Sequence, residues 1–420
     1  MKNKFQFTAS RAALMLFHGI NLMIFVVFLI YLLKVLRFGS NGITFRYTIV
    51  FYLGFAVIFG YLFSFLFKKR KKEILLLCVS LVLVLLTTES VLRFGVKKKL
   101  TYNENLGFPE YQSLYSQRSF LKSKKKSKPV ELLYSYDPNS SRVESNVDFT
   151  YEHHYNNLGL RDDALEMTKR ENEFRIICLG DSYTEGVGAP QDSSWVALLE
   201  KQLQSSESNQ YFNCINGGKA GADPIYNYIN LKERLIQYKP DLILLTINNT
   251  DFSDLITRNG FDRIVDGKVN ERYGPWWEPL YATSFIFRHI AMDRFHVTFQ
   301  LLTPKQLEKR GDKAYELIEE SINRTAMLAK ENQSEFAVIF HPAVQEIYAR
   351  ETMMDYFVQH LMRTYDYKII YLLPCLSNKM AKEGKEPQDY FWLHDRHFNS
   401  RGYELFATCV FEEISQMEFE

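Results

Sequence analysis

The stretch RIICLGDSYTEG, Arg175 to Gly186, decides the fold. Its first five residues form a short apolar run closed by Gly180, the signature of a buried strand. The small residues that follow permit a sharp turn, which lifts the Ser182 hydroxyl clear of the sheet. Downstream, Ser193 to Leu203 sets Trp195, Leu198, Leu199 and Leu203 on one helical face. The unit of strand, turn and helix then repeats. Tyr211 to Asn216 reads as a second strand, and Asp223-Pro224 opens a helix with a capping residue followed by proline at its first position. Pro240-Asp241 releases LILLTIN, a third buried strand. A helix at about 313–332 precedes FAVIFH (Phe336 to His341), a helix at about 350–364 precedes KIIYLL (Lys368 to Leu373), and a helix from Arg401 to about Met417 closes the chain. This alternation predicts an α/β fold, a three-layer doubly wound parallel sheet whose ligands sit at the carboxyl ends of its strands. No internal repeat is visible.

Upstream of this domain the composition changes. The chain has 420 residues, too many for one ordinary domain of about 150. Its 33 Phe and 26 Tyr ask for an apolar environment beyond one core. Ala12 to Val35, Thr44 to Phe67 and Ile74 to Leu92 are three apolar runs, each near the roughly 20 residues that cross a bilayer core of about 30 Å. Three such runs predict a transmembrane anchor over 1–95 rather than a signal peptide, whose apolar region is only about 7–15 residues long. Orientation follows from Lys and Arg in short loops. Lys2, Lys4, Arg11 and the turn Lys68 to Lys72 lie on one side, against Lys34, Arg37 and Arg46 on the other. That places the N-terminus in the cytoplasm and everything after residue 95 outside, although Arg93 and Lys97 to Lys99 pull the other way. Residues 96–150, with two lysine clusters and no apolar period, read as a basic linker, either solvated or resting on anionic headgroups. The expected division is therefore anchor 1–95, linker 96–150 and α/β domain 151–420, with an irregular insertion at about 252–312.

A formal net charge of +2 gives no field of the kind that binds nucleic acid. Cys78, Cys178, Cys214, Cys375 and Cys409 show neither CxxC pairing nor a zinc-ligand spacing, and are expected to be buried small hydrophobes. His153 and His154 lack ligand partners and are expected at the surface.

Three motifs stand in order at strand ends: Gly180-Asp181-Ser182, Asn216-Gly217-Gly218-Lys219-Ala220-Gly221, and Asp395-Arg396-His397-Phe398-Asn399-Ser400-Arg401-Gly402. Together they resemble the GDSL-type serine esterases, or SGNH hydrolases, over roughly residues 150–420. Asn156 to Arg161 is similar to the lead-in of membrane-tethered members. The resemblance implies Ser182 as nucleophile, with His397 and Asp395 completing the triad, and Gly218 as a backbone donor to the oxyanion. Taken alone, Ser182 could also be a helix N-cap, the weaker of the two readings. Two departures stand out. The final pair is Asp-x-His rather than Asp-x-x-His, so His394 with Asp389 remains an alternative. The third block, normally Gly-x-Asn-Asp, reads Asn248-Asn249-Thr250-Asp251, which leaves Thr250, Asn249 or Asn248 as the side-chain donor.

Ser182 would attack an acyl carbonyl, His397 would take and return its proton, and Asp395 would hold the imidazole in the correct tautomer. This chemistry calls for neither metal nor cofactor. The expected function is a membrane-anchored ester hydrolase, its catalytic domain outside the cytoplasmic membrane, acting on an O-acyl ester of an envelope glycan or a lipid. Acyl transfer through the same triad, or a non-catalytic binding module, are the alternatives. The partners implied are the acyl ester and the lipid bilayer, not nucleic acid. Trp276 and Trp277 are expected to pack under their loop, and His341, at the end of the fourth strand, to line the pocket.

Overall fold

The computed structural model describes residues 18–32, 45–66, 71–96, 136–206, 210–258, 260–261, 264–265, 268–269, 275, 277–298 and 301–417. The chain divides into two compact units, Met1–Lys126 with Glu271–Lys309, and Ser127–Asn270 with Arg310–Glu420.

The second unit is built on a five-stranded sheet. Strands β1 (Ser141–Ser145) and β2 (Thr150–His154) form a hairpin outside it, and β3 (Glu173–Leu179), β4 (Tyr211–Asn216) and β5 (Leu242–Ile247) follow. After the two-residue strands β6 (Ile264–Val265) and β7 (Lys268–Val269) come β8 (Glu335–Phe340) and β9 (Lys368–Tyr371). The sheet order is β4-β3-β5-β8-β9 and every pairing in it is parallel. This is a doubly wound parallel sheet, as expected from the sequence. Its first strand stands between the second and third, so connections leave β3 in both directions and open a crevice at its carboxyl end.

β3 and β5 are buried along their whole length, as strands covered on both faces must be. On one face Ile176 and Cys178 pack with Trp195, Leu199, Phe406 and Val410 from helices Trp195–Gln204 and Ser400–Ile414. The first of these helices starts where Ser194 accepts the Ala197 N–H, a side-chain cap.

Several boundaries differ from expectation. The helix before β8 runs Pro304–Glu331, because proline sits comfortably in a first turn. The helix expected at 350–364 is two, Val344–Ala349 and Asp355–Thr364, broken at Arg350 with φ 57°. The apolar run at 368–373 leaves its strand at Tyr371 and continues as helix Leu372–Lys382. That helix carries Cys375, which forms a disulfide with Cys409, 34 positions away. Two of the five cysteines expected to be unpaired are thus bonded, whereas Cys178 and Cys214 are buried and free. β1 and the hairpin tip lie in the stretch read as linker, yet β1 pairs with β2 and the hairpin belongs to the second unit.

In the first unit, Leu76–Gly95 is long and apolar enough to cross a membrane, with mean hydropathy 1.9 and only 11% of it buried. Leu76, Leu77, Leu83 and Val84 are exposed, so it is not the core helix of a water-soluble domain. Among the described residues His18–Leu32 and Arg46–Leu62 are shorter apolar helices. The ends of the first expected span lie outside the described residues. Glu89 is fully buried and accepts from the backbone N–H groups of Phe285 (2.6 Å) and Ile286 (3.2 Å), from Ser284 Oγ and from Tyr52 OH. Part of the expected insertion, 278–298, therefore packs on the apolar helices, with Tyr281, Ala291 and Val297 in its own small core. Trp277 packs there against Tyr281 and Phe287, while Trp276 lies outside the described residues.

Candidate active site

Gly180 ends β3 where no side chain fits, since a Cβ there would collide with the Thr246 and Thr184 side chains. Asp181 then caps the one-turn helix Ser182–Glu185 by accepting the Tyr183 N–H, and Gly186 closes it with φ 86°. Asp181 is the cap, so the hydroxyl of Ser182 is left for other work. The turn is clamped from below. Arg161, fully buried, donates to the carbonyls of Glu185, Gly186 and Ala189, which gives the Asn156 to Arg161 lead-in a structural role.

His397 Nε2 lies 2.7 Å from Ser182 Oγ, and His397 Nδ1 bonds Asp395 Oδ1. The carboxylate places the imidazole proton on Nδ1, leaving Nε2 to accept from the serine. The short Asp-x-His spacing works because Arg396 between them is left-handed, φ 71°, and turns both side chains to the same point. Arg396 is held there by its own N–H on Trp392 O and by Tyr183 OH on its carbonyl. His397 and Asp395 are about one-fifth exposed, so a substrate can reach them. The alternative pair does not form. His394 bonds Asp148, and Asp389 accepts the Glu386 N–H.

The oxyanion candidates are distributed differently from expectation. Gly218 gives its N–H to Asn216 Oδ1 at 3.1 Å, and its lack of a side chain serves close packing against the Thr184 and Glu185 backbone. In the same loop the N–H groups of Gly217, Lys219, Ala220 and Ala222 are also bonded. Gly221 is left-handed, φ 76°, faces open space, and its N–H has no acceptor among the described residues. Asn248 is buried and spends its amide on Asp181 Oδ2 (3.0 Å) and His341 Nε2 (3.1 Å), while its Oδ1 caps the next helix through Thr250 N. The Thr250 hydroxyl faces Asp181 Oδ2 and Asn248 Oδ1. Asn249 is partly exposed, at the first position of helix Asn249–Thr257, with no side-chain hydrogen bond among the described residues.

Three further residues complete the site. His341 is buried rather than pocket-lining, with its ring 4.7 Å from that of Tyr183, which in turn stands 4.8 Å from His397. Burial lowers the His341 pKa to about 4 against the pull of Asp181. His153 is not at the surface. It is buried against Glu185 at 3.5 Å, and Glu185 also accepts from Tyr136 OH and Ala220 N. Burial pushes the Glu185 carboxyl up, but the bonds from His153, Ala220 and Tyr136 outweigh it and hold it below the ordinary range. This buried carboxylate fastens the Ser182–Glu185 turn to the Gly217–Ala222 loop. The only sequence signal for it was its place at the end of the Gly-Asp-Ser stretch.

No family model and no curated protein matches the chain. Solved structures do. A two-domain esterase active on acetylated mannans is similar at 12% identity and TM-score 0.38, over 59% of this chain and 51% of its own, so this chain spans about half of it. A lipolytic protein of the G-D-S-L family from Veillonella parvula aligns at 15% identity and TM-score 0.35, over 58% of this chain and 100% of its own. The lipase/acylhydrolase from Enterococcus faecalis aligns at 15% identity and TM-score 0.35, over 59% and 98%. These neighbours are esterases and lipases, and at such values the chemistry of the present site is read from its own residues.

Proposed function

We propose that the second unit is an SGNH-type serine ester hydrolase and that the first unit holds it at a membrane. The observation that carries the chemistry is the Ser182–His397–Asp395 relay, with 2.7 Å between Oγ and Nε2. Ser182 Oγ attacks the acyl carbonyl as its proton passes to His397 Nε2. The imidazolium formed is stabilised by Asp395 and returns the proton to the departing alcohol. Water, deprotonated by the same nitrogen, then attacks the acyl-serine and releases the acid. Charge on the carbonyl oxygen is met by the backbone N–H of Ser182, a backbone N–H of the Gly217–Gly221 loop and the amide of Asn249.

The substrate class is an O-acyl ester of an envelope glycan or a lipid. Three features support a catalytic unit outside the cytoplasm: the exposed apolar helix Leu76–Gly95, the basic turn Lys68 to Lys72, and the Cys375–Cys409 disulfide, which persists in oxidising compartments. All three apolar segments are read as spans, an odd number that delivers the domain across the membrane. A fluorophosphonate probe tests the chemistry. Labelling of wild type that is lost in Ser182→Ala is expected. Equal labelling of both would remove Ser182 as nucleophile and favour a binding module.

A further inference from the structure

We propose that Asn146, at the tip of the β1–β2 hairpin, is a positioning residue for the triad, a role that rests on the catalytic reading of Asp395 and His397. Asn146 Nδ2 donates to Asp395 Oδ2 at 2.9 Å. Asp395 Oδ1 meanwhile takes His397 Nδ1 and, at 3.3 Å, the His397 N–H. A carboxylate held at one oxygen can still swing about its terminal torsion, whose profile is broad and roughly two-fold. Held at both oxygens it has one plane, and that plane sets the imidazole ring.

The donor is itself fixed. Asn146 Oδ1 accepts the N–H groups of Asp148 (2.8 Å) and Phe149 (3.1 Å), an Asx turn that directs Nδ2 outward to Asp395. The rest of the tip grips the loop that carries the triad. Asp148 Oδ2 accepts the backbone N–H groups of His394 (2.8 Å) and Asp395 (2.7 Å), and its Oδ1 bonds His394 Nδ1 at 2.8 Å. Buried Phe149 packs on Trp392, whose Nε1 donates to Gly188 O at 2.7 Å, so the tip is also tied to the far end of the nucleophile turn. The need for an outside support is plain from the local chain. Asp395 and His397 sit in an irregular loop around a left-handed Arg396, with no strand or helix of their own to hold them.

The test uses the full-length protein in detergent, with Asn146→Asp and Asn146→Ser. Either substitute can still accept from Asp148 and Phe149 and keep the turn, while neither offers an amide N–H to Asp395. Steady-state kinetics on p-nitrophenyl acetate, fluorophosphonate labelling rates and melting curves are compared with wild type. The expected result is a fall of about 10-fold or more in kcat and in labelling rate, the scale of a lost hydrogen bond to a charged group, with KM little changed. The melting temperature stays near wild type in Asn146→Ser, while Asn146→Asp also sets a second carboxylate against Asp395 and melts lower. Wild-type kcat in a folded variant overturns the proposal, as does a loss that only tracks the unfolded fraction. Failure of folded wild type to react with the probe would instead remove the triad reading, and this role with it.

Discussion

His397 Nε2 stands 2.7 Å from Ser182 Oγ, a contact made across 215 positions of the chain. In the proposed mechanism the two groups act as one unit, so Ser182→Ala and His397→Ala should each lower kcat/KM by about 10,000-fold, and the double variant hardly further. Full additivity of the two losses would show that they act independently.

The third-block corner separates donors from scaffolding. Asn249→Ala should lower kcat by about 100-fold with a smaller change in KM, since its bond strengthens as charge develops. Thr250→Ala and Asn248→Ala should act chiefly on stability, by roughly 0.5–2 kcal/mol, through the lost cap and the lost bonds to Asp181. Kinetics and melting curves of the three variants decide it. Native turnover in Asn249→Ala would leave the hole to backbone donors alone.

His341 links stability to pH. Its folded-state pKa, about 4, lies below the ordinary 6.5, so the unfolded chain binds the proton more readily. Its stabilising contribution is present above pH 6.5 and lost as pH falls towards 4. The full loss is on the order of 3 kcal/mol, at about 1.4 kcal/mol per pKa unit. Protonated, Nε2 would also turn a donor against the Asn248 amide and disturb the Asp181 cap. His341→Gln should therefore flatten the melting temperature between pH 6.5 and 4.5 relative to wild type. Parallel curves would remove His341 from the acid transition.

The disulfide closes a loop of 34 positions in the last helices. Replacing Cys375 and Cys409 by Ser and Ala should cost about 3–4 kcal/mol by the loop-entropy argument and leave kcat near wild type, because neither sulfur touches the triad. Thermal melting with and without reductant measures this. An unchanged curve would mean that the thiols are not paired in the native protein.

Topology is open to direct measurement. An alkaline phosphatase fused after residue 105 should be active and a green fluorescent protein at the same point dark, as the basic turn at 68–72 requires. The reverse pattern would place the catalytic unit inside, with Arg93 and Lys97 to Lys99 deciding the orientation.

Sequence by itself determined the sheet and singled out Ser182, His397 and Asp395, which the structure brings into one hydrogen-bonded row. Strands buried on both faces must be apolar runs, and their carboxyl ends must carry the turns, so RIICLG, LILLTIN and FAVIFH located the scaffold and Ser182 together. Asp395 and His397 were legible only through the family resemblance carried by Asp395 to Gly402, and His394 with Asp389 was excluded by the structure. Tertiary structure alone decided which groups around them were already spent. Gly218 and Asn248 are donors by type, but the neighbours Asn216, Asp181 and His341 use their hydrogens. His153 looked like a surface residue until Glu185, 32 positions on by residue number, met it in the interior. The hairpin tip carries Asn146 and Asp148 in a stretch whose composition is that of a linker, and only its docking beside Asp395 gives it meaning. Cys375 and Cys409 pair because two helices lie side by side, a fact of packing that no spacing rule contains. Local periodicity records what each segment buries. It does not record which partner satisfies each polar group, because those partners come from distant parts of the chain.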